Sequence, residues 1–359
     1  MKFLAQSLNN KNTGIYIHVP FCLSKCGYCD FYSFSPKENE MDLYVNKIIS
    51  ELNRWSSILC CSADTLYLGG GTPSLLKAER LNKIIETAIK NFKINGEITV
   101  EANPKDELDF ENLKANRLSL GLQSCNDKEL VALNRRHTAK DALNTILKAK
   151  KYFKNISLDI MLGIPYQTKE SLKESLDFCI ELNIPHISTY MLKIEKNTPF
   201  YKSALPFLND EKTAELYLFT CEYLRANGYE RYEISNFAKP TFESKHNMKY
   251  WLGADYLGLG PAAHSRIGNK RFYYNNDFYE YINKPKEIYE GAAGDTEEDI
   301  MLSLRTNLGY NFKNYPKIKN TAIRLAKNGL IDYNNDCIKL TDKGALLENS
   351  IIAELILNM

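Results

Sequence analysis

The 359-residue sequence predicts an α/β fold with a parallel sheet, either open or closed into a partial barrel. Two observations lead to this prediction. From residue 15 to about residue 225, short β-branched apolar stretches alternate with longer amphipathic stretches, and six such units in series imply parallel strands. Chemically suggestive residues also follow the strand-like stretches, and ligands gather at the carboxyl ends of parallel strands.

The apolar periodicity sets the elements of this predicted (β/α)6 unit. The predicted strands are residues 15–19, 65–68, 97–101, 118–122, 157–162 and 186–192. The predicted helices are residues 42–58, 75–92, 106–114, 139–153, 169–182 and 210–227. Because Gly228 is a plausible C-terminal stop for the last helix, we expect residues 1–228 to form the first domain.

The pattern changes near the C-terminus. Residues 297–304 and 319–328 predict helices, residues 331–333 and 338–340 predict a hairpin, and residues 341–357 predict a closing helix. We therefore expect a C-terminal α+β module with a winged-helix-like pattern at residues 295–359. Residues 229–294 would then connect the module to the first domain.

Composition narrows the classes of function. The net charge is +2, and residues 295–359 carry eight Lys or Arg against nine Asp or Glu, so we expect no nucleic-acid partner. The sequence has no apolar run of the ~20 residues that a membrane span requires. The first residues also lack the apolar core of a secretory signal, which predicts a cytoplasmic protein. In that reducing compartment the nine cysteines are expected to be thiols or metal ligands.

Three of these cysteines form a distinctive motif. Cys22, Cys26 and Cys29 stand in C-x₃-C-x₂-C spacing after the first apolar stretch, which Pro20 closes. Three thiolates on one loop can hold three irons of a 4Fe–4S cube and leave the fourth iron open to a small molecule. A zinc site and a chance cluster of buried thiols are the alternatives, but no second C-x-x-C or H-x₃-H occurs in the sequence.

Further candidate residues follow the later strands. A Gly-rich turn, residues 69–74, comes after the second strand, where glycines permit positive φ and close backbone approach to a ligand. The other candidates are Glu101, Gln123, Arg135, Asp159 and Tyr190. For each residue taken alone, structural capping is the simpler explanation. Their common position at the strand ends, at the same end of the predicted barrel, favours ligand binding.

A histidine beside aromatic residues suggests a separate site. His246 opens the hexapeptide HNMKYW at residues 246–251. Histidine is a common ligand of haem iron, and Tyr or Trp could pack on a porphyrin face. A structural histidine is the alternative. His264 is a second candidate ligand, His18 and His137 are expected near the pocket, and His186 is expected to be structural.

These motifs together resemble a known family. The motifs are YIHVPFCxxxCxYCDF, LGGGTPS, VEANP, GLQS, LNRRH, LDIMLGIPYQT and YEISNFAKP. They are similar to those of the coproporphyrinogen III dehydrogenase-like family of radical S-adenosylmethionine (SAM) proteins, and the similarity runs from residue 14 to the C-terminus. The resemblance implies a radical-SAM partial barrel.

Two branches of this family fit the motifs: an oxygen-independent decarboxylase of coproporphyrinogen III and the HemW-type haem chaperones. Three features favour the chaperone branch. Phe31 stands where the decarboxylase pattern has a fourth Cys, only 14 residues precede the first predicted strand, and residues 246–251 match an HNxxYW motif of the haem-binding branch. We therefore expect a haem chaperone without decarboxylase activity. A carrier whose cluster serves only assembly or regulation is the remaining alternative.

The resemblance also implies roles for individual residues. Cys22, Cys26 and Cys29 would hold a 4Fe–4S cluster, and its open iron would bind SAM, which one electron could cleave at a C–S bond. The residues expected to contact SAM are Tyr16, Tyr28, Gly70, Gly71, Thr72, Glu101, Gln123, Arg135 and Asp159. Haem would be held near His246 and delivered to an acceptor such as a membrane-associated respiratory enzyme. Flavodoxin or ferredoxin would supply the electron.

Overall fold

A computed structural model describes residues 13–315 and 317–359. The N-terminal segment to which the secretory-signal argument applies lies mostly outside the described residues. The centre of the molecule is a sheet in which the first six strands are parallel neighbours in chain order. These strands are β1 (Thr13–Val19), β2 (Ala63–Gly70), β3 (Glu97–Ala102), β4 (Arg117–Gln123), β5 (Asn155–Leu162) and β6 (His186–Met191). All six predicted strands are therefore present.

The helices between the strands cover one face of the sheet. They are α1 (Glu38–Leu59), α2 (Lys77–Phe92), α3 (Asp127–Ala132), α4 (Ala139–Ala149), α5 (Lys169–Glu181) and α6 (Asp210–Ala226), with 3₁₀ turns at Pro73–Leu76 and Pro199–Lys202. Side-chain caps fix several of the starts: Thr138 and Thr168 begin α4 and α5 with capping boxes.

The predicted helix at residues 106–114 is wrong. No helix connects β3 to β4 in the described chain, and this segment forms turns instead. Its buried apolar side chains are Leu108, Phe110 and Leu113, a spacing that does not place them on one face of a helix. The Asp106 carboxylate also accepts a hydrogen bond from the Ser74 hydroxyl at 2.7 Å, which holds the segment against the turn after β2.

The six strands carry two different faces. Residues such as Ile15, Ile17 and Leu66 are fully buried and belong to the same apolar core as the helices. The alternate positions are polar in every strand. On this inner face lie Tyr16, His18, Thr65, Tyr67, Glu97, Glu101, Arg117, Ser119, Ser157, Asp159, His186, Ser188 and Tyr190. The fold therefore supplies an apolar shell and a polar interior.

The sheet continues beyond the six strands at both edges. On the β6 side come β8 (Asn236–Ala238) and β7 (Glu230–Glu233), and on the β1 side come β9 (Tyr256–Leu259), β10 (His264–Ile267), β11 (Lys270–Tyr274) and β12 (Glu287–Ala292). Strand β9 is parallel to β1, and β10, β11 and β12 are antiparallel to their neighbours. Across the described residues the strand order runs from β12 to β7 without closing, so the barrel is partial.

The connecting region also contributes two helices, α7 (Lys245–Trp251) and α8 (Phe278–Asn283). The predicted boundary at residue 228 stays a prediction. The sheet itself runs across it, because strands from residues 229–294 pair with both β1 and β6.

The C-terminal module has the expected α+β composition. It contains α9 (Thr296–Leu304), β13 (Tyr310–Asn311), α10 (Ile318–Lys327), β14 (Ile331–Asn334), β15 (Cys337–Leu340), α11 (Asp342–Ala345) and α12 (Glu348–Leu357). The predicted hairpin is confirmed as β14 and β15. The prediction of a single closing helix is wrong, because the helix is interrupted between α11 and α12. Ion pairs join the module to the barrel, including Arg305 Nε to Glu233 Oε2 at 2.9 Å.

Among the helices of the described residues, none is long and apolar enough to span a lipid bilayer.

Candidate functional site

The three motif cysteines lie on the loop between β1 and α1, which we call the Cys loop (residues 20–34). Its two ends are tied together, because the Cys22 amide donates to the carbonyl oxygen of Phe34 at 2.9 Å and the Phe34 amide donates to that of Pro20 at 2.9 Å. Cys22, Cys26 and Cys29 are free, half-buried thiols. All three line one cavity of about 130 Å³.

This cavity brings together most of the predicted site residues. From the sequence predictions it collects Cys22, Cys26, Cys29, Tyr28, Gly70, Gly71, Thr72 and Arg135. Asn103, Asn134 and Arg136 also line it and were not predicted. The carboxyl ends of β1, β2 and β3 and the chain before α4 thus meet at one place, as expected for ligand sites on parallel strands.

The arrangement of the thiols distinguishes between two kinds of metal site. Among residues 13–315 and 317–359, no three His, Cys, Asp or Glu side chains converge in a way that could hold one metal ion. The three thiols instead border a shared cavity from one loop, which fits a cluster that takes a separate cysteine at each of three irons. Burial raises the pKa of the Cys29 thiol to about 11. Without a metal this thiol stays protonated at neutral pH, and metal coordination would deprotonate it.

Arg135 contacts the Cys loop directly. Its Nη1 donates to the Sγ of Cys26 at 3.3 Å, and its Nη2 donates to the carbonyl oxygen of Gly121 at 2.8 Å. The third nitrogen, Nε, is buried and has no hydrogen-bond partner in the protein. Buried guanidinium donors normally find an acceptor, so this atom is suited to an anionic ligand group beside the cysteines.

The turn after β2 passes close to the Cys loop. Gly70 has φ +102, and a Cβ there would lie 2.4 Å from Nδ1 of His18. A Cβ on Gly71 would lie 2.6 Å from the carbonyl oxygen of Phe21. Both positions therefore require glycine. The close approach places the Thr72 hydroxyl 3.4 Å from the Sγ of Cys22.

Glu101 lies directly beneath this turn. Its carboxylate accepts hydrogen bonds from the Tyr67 hydroxyl at 2.6 Å and from the Gly70 amide at 3.1 Å. Burial raises the pKa of Glu101 to about 7, and the nearby negative charge of Asp159 acts in the same direction. A carboxylate held in this way still has lone pairs for a ligand with hydroxyl or ammonium donors.

Asp159 and Gln123 extend the polar interior toward the later strands. The Ser119 hydroxyl lies 3.5 Å from Oδ1 of Asp159, and burial raises the pKa of this carboxyl group. Gln123 is mostly buried and has φ +68. Its amide and the Arg135 guanidinium crowd the space beside Gly121, where a Cβ would lie 2.9 Å from the Gln123 Nε2.

Tyr16 and His18 form a fixed pair on β1. Nε2 of His18 lies 3.0 Å from the carbonyl oxygen of Tyr32, so it carries the proton, and Nδ1 accepts from the Tyr16 hydroxyl at 3.0 Å. Burial lowers the pKa of His18, which keeps the ring neutral. Tyr28 borders the cavity on the Cys loop, and its ring packs near Phe200 with the ring centres 6.2 Å apart.

His246 lies elsewhere, in a fully buried position at the start of α7. Its Nδ1 is 2.8 Å from the Thr65 hydroxyl, its Nε2 is 2.9 Å from the Tyr250 hydroxyl, and its ring packs on Tyr67. Burial lowers the pKa of His246 to about 3. Both ring nitrogens have protein partners and the side chain has no exposed surface. Ligation of haem iron would require the imidazole to leave this position.

The other histidines lie in varied surroundings. His186 is fully buried between Ser157 and Tyr232, in agreement with a structural role. His137 is buried with Nε2 3.0 Å from the carbonyl oxygen of Leu122. His264 is exposed and stacks on Tyr273.

Sequence reasoning missed the inner-face residues Tyr67, Arg117, Ser119 and Ser188. Arg117 is almost completely buried, and its Nε lies 4.0 Å from Oε2 of Glu97. The signal was present in the sequence, since polar residues alternate with apolar residues along every one of these strands.

The partial barrel carries three cysteines on the loop after its first strand. This combination defines a class of protein, and comparison with known proteins identifies the same class. The sequence model of the Radical SAM superfamily matches residues 16–179. The radical SAM enzyme coproporphyrinogen III oxidase (HemN) from Escherichia coli has the same fold. The TM-score is 0.80 at 21% sequence identity, over 96% of this chain and 90% of that chain.

Two curated relatives narrow the class. The sequence is 34% identical to "Heme chaperone HemW" of Buchnera aphidicola, over 94% of this chain and 96% of the relative. It is also 34% identical to "Heme chaperone HemW" of Bacillus subtilis, over 94% of this chain and 97% of the relative. The chain belongs to the HemW family of radical SAM proteins.

Proposed function

We propose that this protein is a haem chaperone that binds a 4Fe–4S cluster, SAM and haem and passes the haem to an acceptor protein. One observation carries the proposal: a protein with the HemW sequence pattern along nearly its whole length also has three thiols around one cavity, which Gly70, Gly71, Thr72 and Arg135 line as well. When bound, the cluster and SAM would supply one-electron chemistry.

The protein's own residues would have separate tasks at this cavity. Cys22, Cys26 and Cys29 would hold the cluster, and the Thr72 hydroxyl lies beside the first of them. The Arg135 guanidinium would hold Cys26 in position through its hydrogen bond to Sγ, and its unpartnered Nε is available to a carboxylate. Gly70 and Gly71 would let the backbone approach SAM closely.

The inner-face carboxylates would orient the rest of SAM. Glu101 is fixed by Tyr67 and by the amide of Gly70, so it can accept from ligand hydroxyl or ammonium groups without a large loss of side-chain entropy. Asp159 and Gln123 lie along the same interior. Tyr16 is held in place by His18 and would pack against the ligand.

The finer partners belong to this proposal as well. The haem acceptor would be a respiratory haem protein, such as a membrane-associated enzyme, and the electron would come from flavodoxin or ferredoxin. The proposed location is the cytoplasm. We assign no nucleic-acid partner, because the C-terminal module carries one more acidic than basic residue.

Decarboxylation of coproporphyrinogen III is the second candidate function, and the shared fold with HemN favours it. Position 31 argues against it, since the side chain there is an exposed Phe and not a fourth Cys. One sample decides between the two functions: anaerobically reconstituted protein assayed for haem binding by absorbance and for coproporphyrinogen III conversion with SAM and reductant. Haem binding without conversion supports the chaperone, and turnover to protoporphyrinogen overturns it.

A further inference from the structure

A groove of about 910 Å³ lies between the carboxyl end of β6 and the C-terminal module. Its walls come from three parts of the chain: the end of β6, the segment that leads into α6, and the region around α11. Apolar side chains that face into it include Met191, Ile194, Phe207, Leu346 and Leu347. We call it the β6 groove.

The apolar side chains of the β6 groove are accessible to solvent. Met191 and Ile194 are each 37% exposed, and Leu347 is 48% exposed. Phe207 and Leu346 are only partly buried. Exposed apolar surface collected in one concavity indicates a binding site, because leaving it in water is unfavourable. The volume and the lining favour a large, mainly apolar ligand.

The β6 groove is joined to the cluster site through aromatic side chains. Phe207 in the groove packs on Phe200 with the ring centres 5.2 Å apart, and Phe200 packs near Tyr28 of the Cys loop at 6.2 Å. The Phe200 amide also donates to the carbonyl oxygen of Gly27 at 2.9 Å. Two aromatic contacts therefore connect the groove to the loop that carries the thiols.

A second groove, of about 620 Å³, lies beside the HNxxYW motif and is lined by Tyr250, Trp251 and Met301. Its charged lining is one basic residue, Arg271, and three acidic residues, Asp295, Glu297 and Glu298. Arg271 is already paired with Glu298. The remaining carboxylates would repel a ligand that itself carries carboxylates.

The charged lining of the β6 groove is balanced. Lys193 and Lys343 stand against Asp210 and Glu211. A porphyrin with two propionates can place one near Lys343 and one near Lys193, which also pairs with Glu195, while its apolar ring faces Leu346 and Leu347. Met191 adds a thioether, a side chain of a type that ligates haem iron.

We propose that the haem of the function proposed above is held in the β6 groove, and not by the buried His246. The ring lies between the end of β6 and the C-terminal module, with Met191 facing the iron. This placement puts the cargo next to the segment between Phe200 and Phe207, which contacts the Cys loop. It leaves the His246 imidazole in its hydrogen-bonded position within the barrel.

The test is a haem titration, followed by absorbance, of the full-length protein and two matched variants. Leu347→Glu places a charge in the β6 groove, and Met301→Glu places one in the second groove; the two side chains are 48% and 47% exposed, so both variants should fold. Leu347→Glu should weaken haem binding roughly tenfold or more, because the variant would bury an unpaired carboxylate against the haem. Met301→Glu should bind like the unmodified protein. Met191→Leu should shift the Soret band.

The outcomes separate this inference from the function on which it rests. If the unmodified protein binds no haem, the chaperone proposal itself fails. If it binds haem and Leu347→Glu binds equally well, the inference is overturned, and a loss of affinity by Met301→Glu would then place haem in the second groove. Circular dichroism of each variant verifies that a loss of binding is not a loss of fold.

Discussion

Nη1 of Arg135 lies 3.3 Å from the Sγ of Cys26, and this contact joins the chain before α4 to the Cys loop. A different element approaches Cys22, whose Sγ is 3.4 Å from the Thr72 hydroxyl. Cys22 and Cys26 therefore have different surroundings at the cavity.

Replacement of any motif cysteine should abolish the cluster. Cys22→Ala, Cys26→Ala and Cys29→Ala each remove one of the three thiolates, so the 4Fe–4S absorbance and EPR signal of the reconstituted protein should disappear. Cys60→Ala is a suitable control, since this thiol is exposed and does not line the cavity. Full iron and sulfide content in Cys26→Ala would contradict the assignment.

Removal of the Glu101 charge should weaken SAM binding. Glu101→Gln keeps the volume but loses an acceptor, which should cost about 1–3 kcal/mol of SAM affinity, measured by calorimetry on reconstituted protein. The cluster absorbance should not change. Unchanged SAM affinity together with a collapse of thermal stability would make Glu101 a structural residue.

Glu101 also predicts a pH dependence of stability. Burial raises its pKa in the folded protein from the ordinary 4.5 to about 7. The folded state then binds the proton more tightly than the unfolded state, so the contribution of this group to stability falls as pH rises from about 4.5 to about 7. The melting temperature of Glu101→Gln relative to the unmodified protein should rise across that range. A difference in melting temperature that does not vary with pH would contradict a buried Glu101 carboxyl group with a raised pKa.

His246→Ala should destabilise the fold and leave haem binding largely intact. The substitution removes a fully buried ring with two hydrogen bonds, so the free energy of unfolding should fall by about 2–4 kcal/mol. Tyr250→Phe removes only one of these hydrogen bonds and should cost about 1 kcal/mol. Denaturant unfolding measures both. A lost or shifted Soret band in the folded His246→Ala protein would restore His246 as the haem ligand.

The unmodified protein should not convert coproporphyrinogen III, even with an intact cluster, SAM and reductant. Phe31→Cys should not confer turnover, because the side chain at position 31 is exposed and the substitution adds a thiol without adding a substrate pocket. Product analysis by chromatography checks both proteins. Protoporphyrinogen formation by either one would contradict the prediction for that protein.

The sequence by itself determined the features that depend on neighbouring residues. The cysteine spacing, the glycine turn after β2 and the six strands are local, because the ligand geometry, positive φ and two-residue period are each set within a few residues. The spacing of apolar residues predicted a helix at residues 106–114, but Leu108, Phe110 and Leu113 are buried there without a helix. The same spacing predicted one closing helix where the structure has two, α11 and α12.

Only the tertiary structure decided which distant side chains share a site. Arg135 and Cys26 are 109 positions apart, yet they are hydrogen-bonded. The sequence left His246 as either a haem ligand or a structural histidine, and α7 packs it against Thr65 and Tyr67 of β2, where both ring nitrogens have hydrogen-bond partners. The β6 groove likewise exists only where the C-terminal module meets the barrel. Burial and partner choice depend on contacts between distant segments, which the local pattern of residues does not encode.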